Sequence, residues 1–419
     1  MNTRNQDRVD WPGVVIVGAG VTGLLIAEQL RERGIPVLLV EKRGLAAGQT
    51  GHCHGYLHRG YIYRRLEAAQ HKELKGAADW WQERLESAGL QPVARTSVVA
   101  FHHPDQREES LRTWDALGMA AERIDTGGIL PGALPGYAVP EATVTPREAL
   151  AAAAPASRDH PVLPGRLVEL RSSHDRVESA EILGAHGPLT VTAPAFVLAT
   201  GLGTASVLGR MGRAGDGASI RTRLSFMLVC HSTQPLPAAF CLPSDEAQGL
   251  FVASRRSAAG TVHLFSTFVN FWPGRAPDIA REIWLQGVGR VLAEQLPALW
   301  HDPDARWGVY PAGKAELDTR PGSGLPEGGV IPFGRSNALA VLPGKFVLAP
   351  ALARRAVRRL LEMGVGRTAG ASPAALPSWA GTGADWAAED WEVTPRLTRR
   401  QLFEHPLVTG NTGISHDRP

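Results

Sequence analysis

The segment from Val14 to Glu41 constrains this chain more than any other. Val14-Val-Ile-Val17 is a short β-branched run that ends in Gly18-Ala-Gly-Val-Thr-Gly23, and Leu24, Ile26, Ala27 and Leu30 follow at helical spacing towards Arg33. Gly34 stops that helix, Val37 to Val40 reads as a second buried strand, and Glu41 stands at its carboxyl end. Strand, glycine turn, helix, strand and acid in this register form a βαβ unit shaped for a dinucleotide. Gly18 allows the tight turn, Gly20 lets backbone approach a pyrophosphate, and Gly23 lets helix and strand pack closely. The N–H groups at the helix start, around Thr22, meet the phosphate charge. Glu41, with Lys42 beside it, is placed to accept hydrogen bonds from ribose hydroxyls.

Composition removes several classes. With 419 residues, 44% of them apolar, the chain has ample material for a two-domain globule. The 44 Lys plus Arg against 41 Asp plus Glu leave a net charge of +3 spread along the chain, so no nucleic-acid or membrane partner is expected. Met1 to Asp10 is polar, and no apolar run approaches the ~20 residues that span a bilayer; the expected location is the cytoplasm. Cys53, Cys230 and Cys241 form no CxxC pair and no metal spacing, which points to free thiols in a reducing compartment. No metal is expected: a zinc site from His52, Cys53, His54 and His58 matches no ligand spacing.

Three further segments carry a resemblance. Gln49-Thr-Gly-His-Cys-His-Gly-Tyr-Leu-His-Arg-Gly-Tyr-Ile-Tyr63 is a Gly/His-rich loop where an NAD dehydrogenase would continue with further βα units. Ala195 to Gly203 is a buried strand ending in Ala-Thr-Gly after a hairpin-like stretch from Arg166 to Val191. Gly334 to Pro350 leads into a helix from Ala351 to Met363. With the βαβ unit, these resemble the D-amino-acid oxidase superfamily of FAD-dependent oxidoreductases, and the Gly/His loop is closest to L-2-hydroxyglutarate oxidases and dehydrogenases.

The resemblance implies an α/β fold in which a Rossmann-type FAD-binding domain (11–90, 146–210 and 330–365) is interleaved with a mostly antiparallel substrate domain (91–145 and 211–329). Strands are expected at Val98–Phe101, Ser225–Val229, Gly249–Ala253 and Thr261–Val269, and a helix at Ile279–Leu296. The extension 366–419 carries Trp379, Trp386, Trp391 and Phe403 and is expected to dock on the body. FAD would be held by Gly18, Gly20, Thr22, Gly23, Glu41, Lys42, Thr50, His52, Thr200, Gly201, Pro343, Gly344 and Lys345.

His52 stands where dimethylglycine and sarcosine dehydrogenases carry a histidine bonded covalently to flavin, which leaves a covalent link through His52 open. His58 is expected to face the substrate as a base or orienting group. Many relatives clamp a substrate carboxylate with the arginine of a Gly-x-Arg-Pro block, whereas this chain has Gly308-Val-Tyr-Pro311. Tyr310 in that position implies a substrate without a carboxylate there, or one presented to Lys314, to Lys345 or to an arginine of the 221–223 stretch. Lys345 could also assist dioxygen.

The expected activity is oxidation of a C–N bond in an amine or amino-acid-derived substrate by hydride transfer to flavin N5, with dioxygen or another acceptor removing the electrons. A 2-hydroxy acid oxidase or dehydrogenase is the alternative within the fold, and a non-catalytic flavin-binding scaffold the alternative outside it. An aromatic hydroxylase would need a later Gly-Asp block than Gly215-Asp216-Gly217.

Overall fold

The computed structural model describes residues 7–127, 130, 134–173, 176–211, 220–234, 236–242, 249–257, 260–267, 269–271, 277–317, 328–333, 337–366, 376–377, 380–382 and 384–404. Gly215 to Gly217, Gly334 to Ser336 and Trp379 lie outside them. The chain folds around two large sheets. The first has a parallel centre in the order Pro161–Ser173, Val37–Glu41, Val14–Val17, Ala195–Leu198 and Ala338–Leu342. Val14–Val17, Ala195–Leu198 and Ala338–Leu342 are apolar without a break because both faces are covered. Val14 and Ile16 pack under the helices Val21–Arg31, Ala68–Ser87, Pro146–Ala153 and Ala349–Glu362, while Val15 and Val17 face the opposite cluster with Leu163, Leu198 and Phe333.

The hairpin-like stretch is three antiparallel strands, Pro161–Ser173, Arg176–Gly184 and Gly187–Thr192, extending that sheet. The helix after the glycine turn begins at Val21, one turn earlier than the apolar spacing indicates, and ends at Arg31. Its closing residues instead turn back through Gly34, whose φ of +70° suits glycine.

The second sheet runs Arg306–Pro311, Phe226–Ser232, Gly260–Thr267, Leu250–Ser257, Ala239–Leu242, Ser97–Phe101, Leu134–Val139 and Glu122–Ile124. It is antiparallel apart from the Phe240–Val98 pairing. The helix Pro277–Gln295 covers one face, with Trp284, Leu285, Val288 and Leu292 packed on Phe226, Leu228, Phe265 and Trp307. Alternation then decides what the other face offers. On the strand Leu250–Ser257, Leu250 and Val252 go to the helix, so Phe251, Ala253 and Arg255 turn towards the Gly/His loop. On the strand Arg306–Pro311, Trp307 and Val309 face the helix and Tyr310 faces away.

Candidate functional site

The glycine turn is tight for two different reasons. Gly18 has φ of +103°, donates its N–H to the Val40 carbonyl at 2.8 Å, and has room for no Cβ, which would lie 2.4 Å from the Ala199 oxygen. A Cβ on Gly23 would lie 1.9 Å from the Gly18 oxygen. Both glycines serve the protein's own packing. Gly20 differs, because the one heavy atom within 4 Å of its Cβ position is Thr50 Oγ1, at 3.1 Å. Gly20 supplies no side-chain cap to the helix that starts there, so the space outside it and the start of the helix fit a pyrophosphate.

Around this opening, Thr50 Oγ1 accepts the Val21 N–H at 2.9 Å, and Thr22 is buried. Glu41 is locked at its strand end: Oε2 accepts from the Ala19 N–H at 2.9 Å, and Oε1 from the N–H groups of Lys42 and Arg43 at 2.8 and 3.0 Å. The Lys42 side chain is exposed. Thr200 Oγ1 lies 2.9 Å from Thr204 Oγ1, and Gly201, with φ of +55°, fits against the Gln49 side chain.

The opposite end is built from the Gly/His loop. A short helix Gln49–His52 carries Thr50 towards the glycine turn, and a two-residue strand, Tyr56–Leu57, pairs with Ala142–Thr143. Glu141, fully buried, accepts the N–H groups of Arg59, Gly60 and Tyr61 at 2.6, 2.9 and 3.3 Å and pins the turn directly after His58. Pro343, Gly344 (φ +65°) and Lys345 form the turn before the helix Ala349–Glu362. Trp81 braces that turn by donating to the Val347 carbonyl at 3.1 Å and stacking on Phe346. Lys345 Nζ sits 5.6 Å from the centre of the Tyr63 ring.

Where loop and second sheet meet, four rings form a cluster. His58 stacks on Tyr56 at 5.1 Å, with His54 and Phe251 edge-on at 6.0 and 6.2 Å, and His54 stacks on Phe251 at 5.8 Å. Burial pushes His58 well below the usual imidazole range, reinforced by the charges of Lys345 and Lys314. Burial does the same to His54, with His58, Lys314, Arg255 and Lys345 adding to it. In both imidazoles the neutral form is favoured over the charged one. Lys314 is lowered to about 7, by burial first and then by Arg223 and Lys345.

The sequence-based candidates divide on this geometry. Lys314 and Lys345 share the field of the ring cluster. Arg223 is held by Glu316 through two contacts of 2.8 and 2.5 Å, so its fork is already engaged. Tyr310 packs with Met227, Val229 and Trp391 and donates its hydroxyl to the His52 carbonyl at 3.3 Å; burial raises its pKa well above the usual phenol value. His52 Nε2 lies 2.7 Å from Asp390 Oδ2.

Two groups escaped sequence reasoning. Arg255 is buried to 1% exposure, donating to the carbonyls of His54 at 2.6 Å and Ser254 at 3.0 Å; it stands in the polar half of its strand, Ser254 to Ser257, which carries no signal of burial. Glu389 and Asp390 come from the C-terminal extension, signalled by the Glu-Asp-Trp-Glu pattern of a capping box. Among the described residues no group of three or more His, Cys, Asp or Glu could hold a metal ion. No described helix is long and apolar enough to cross a membrane.

Comparison with known proteins places these features in context. Residues 13–359 match the family model described as FAD dependent oxidoreductase. One component of the anaerobic glycerol-3-phosphate dehydrogenase of Escherichia coli (strain K12) is 29% identical over 171 residues, covering 38% of this chain and only 30% of that relative. Among solved structures, an FAD dependent oxidoreductase from Pseudomonas aeruginosa superimposes with a TM-score of 0.66 at 20% identity, over 93% of this chain and 99% of that one. Glycine oxidase from Bacillus cereus does so at 0.64 and 15% identity, over 84% and 95%. At these identities the structural likeness establishes the fold.

Proposed function

This chain belongs to the FAD dependent oxidoreductase family, and on that premise we propose that it oxidises a C–N single bond of an amine or amino-acid-derived substrate bearing an anionic group. The carrying observation is the cluster of His54, Tyr56, His58 and Phe251, whose two imidazoles are disfavoured as cations by burial and by the charges of Lys314 and Lys345. Bound FAD supplies the acceptor for a hydride at its N5. The glycine turn, Glu41, Thr50 and the Pro343 to Lys345 turn would hold it.

The protein's own groups have three tasks. An ammonium substrate must shed a proton before a hydride can leave the adjoining carbon, and His58 would accept it, against the burial and lysine charges that disfavour its protonated form. Lys314 and Lys345 attract the anionic group, replacing an arginine clamp with two point charges. Tyr56 and Phe251 wall the space against water. Dioxygen or another acceptor then removes the electrons. The thiols Cys53, Cys230 and Cys241, none in a disulfide, support placing this chemistry in the cytoplasm.

Oxidation of a C–O bond is the second reading, favoured by the glycerol-3-phosphate dehydrogenase relative. Such a substrate would use the same lysines for its phosphate or carboxylate. Anaerobic bleaching of the flavin separates the two. Amines and amino-acid derivatives should bleach it, and exclusive bleaching by 2-hydroxy acids or glycerol phosphate would replace the first reading with the second. A flavin that no member of the panel reduces would leave a binding scaffold.

A further inference from the structure

We propose that Asp390 is a positioning residue of the flavin site, fixing the ring of His52 from the C-terminal segment. The inference rests on the family reading above and on contacts in this chain. His52 is 4% exposed, and its Nε2 lies 2.7 Å from Asp390 Oδ2. That is the separation of a charge-assisted contact, although ring N–H and carboxylate are not aligned as a linear hydrogen bond. A carboxylate at this distance holds the ring proton on Nε2 and leaves Nδ1 as an acceptor. Nδ1 is buried with no hydrogen-bond partner among the described residues, a state that a bound donor would relieve.

Both partners are held in place from several directions. Leu45 and the segment 385–387 exchange backbone hydrogen bonds of 3.0 and 2.9 Å. Glu389, buried to 2% exposure, accepts the Arg147 N–H at 2.9 Å and the Trp391 indole N–H at 2.6 Å, and caps the short helix that Asp390 begins. Arg147 grips Glu392 through two contacts of 2.9 Å. Further on, Leu397 and Trp307 exchange two backbone bonds of 2.7 Å at the edge of the second sheet. His52, for its part, sits on the same helical turn as Thr50, which accepts from the head of the pyrophosphate helix. Its carbonyl receives the Tyr310 hydroxyl. The extension thus spans both sheets and delivers a carboxylate to a loop residue that belongs to the cofactor site.

The test uses the full chain with Asp390→Asn and Asp390→Glu. In apoprotein labelled with 15N-histidine, the His52 signals, identified by their loss in His52→Gln, should show a fixed Nε2–H tautomer. Asp390→Asn should convert it to a mixture, and Asp390→Glu should restore it. In the holoprotein, Asp390→Asn should shift the flavin midpoint potential and visible spectrum and raise the FAD dissociation constant about tenfold, the order expected for one charge-assisted contact. Glutamate should recover most of these changes. A variant with altered melting temperature but unaltered tautomer, potential and spectrum would overturn the inference, since a merely structural tie behaves that way. Wild-type protein that cannot bind FAD would instead sink the family-based reading, while the tautomer measurement would still decide the His52–Asp390 pairing.

Discussion

The two ends of the proposed flavin site are made differently. At the pyrophosphate end, one stretch from Val14 to Glu41 supplies turn, helix start and acid, with Gly18 and Gly23 required by close backbone contacts and Gly20 keeping space open. At the ring end, the parts come from the Gly/His loop, the strand bearing Phe251 and Arg255, the strand bearing Lys314, the turn at Lys345 and the extension bearing Asp390. A site contained in one supersecondary unit tolerates little change in any residue and needs little support. A site assembled from distant segments can vary each contributor separately, so its chemistry can change while the fold stays. That difference predicts steep, all-or-none effects at one end and graded, separable ones at the other.

The largest expected effect is at Gly20. Gly20→Val should give folded protein that has lost its flavin, because the added side chain enters the space kept open at the helix start. Gly23→Val should fail at folding itself, with its Cβ driven into the Gly18 carbonyl. Absorption spectra and thermal melts of the two proteins separate these outcomes. A yellow Gly20→Val protein would mean that the pyrophosphate runs elsewhere and would erase the contrast.

Next comes His58→Gln, which keeps a polar side chain but removes the base. Flavin content should be unchanged while kcat/KM for the best amine falls by about 10² to 10⁴, the range of lost general base catalysis. Because burial lowers the His58 pKa well below the usual imidazole value, any acid limb from this group should also lie below it. An unchanged rate with His58→Gln would move proton transfer to another group.

A smaller effect is expected at Lys314. Its lowered pKa, about 7, sets the sign: the ammonium is charged below about 7, so grip on an anionic substrate is full there and is lost as pH rises through that value. KM should therefore rise with pH across neutrality, and Lys314→Met should raise it about tenfold at low pH and flatten the profile. A KM that falls with rising pH would contradict the assignment.

The smallest effect should be at Glu141, whose carboxylate holds three consecutive N–H groups. Glu141→Gln keeps an acceptor oxygen and loses the charge, so it should cost about 1–3 kcal/mol of stability. The shift should appear in the denaturant midpoint, with kcat changing less than in His58→Gln.

Several outcomes are readable in the sequence. The expected strands Val98–Phe101, Ser225–Val229, Gly249–Ala253 and Thr261–Val269 all appear within a few residues of those limits, as does the helix near Ile279–Leu296. Their boundaries slipped where sheet pairing extended an element past its apolar core. The strand Leu250–Ser257 continues through Ser254 and Arg255 because its neighbour Gly260–Thr267 offers hydrogen bonds along the whole length. Arg223 and Tyr310 show a different limit. Arg223 was a candidate for a substrate carboxylate by residue type and Tyr310 a site candidate by its place in the Gly308–Pro311 block, and the fold gives each an internal contact, with Glu316 and the His52 carbonyl respectively.

By itself the sequence determined the βαβ unit, the FAD-dependent family and the two-sheet architecture. Each is written in local periodicity, in glycines that nothing else can replace, or in short blocks of adjoining residues. Tertiary structure alone decided that burial disfavours the charged forms of His54 and His58 and lowers Lys314 to about 7, that Arg255 backs the loop, and that Asp390 reaches His52. Protonation depends on burial and on charges brought close by the fold, and neither quantity is a property of neighbouring residues along the chain. Asp390 and His52 are far apart in sequence, and only the path of the extension across both sheets brings them together.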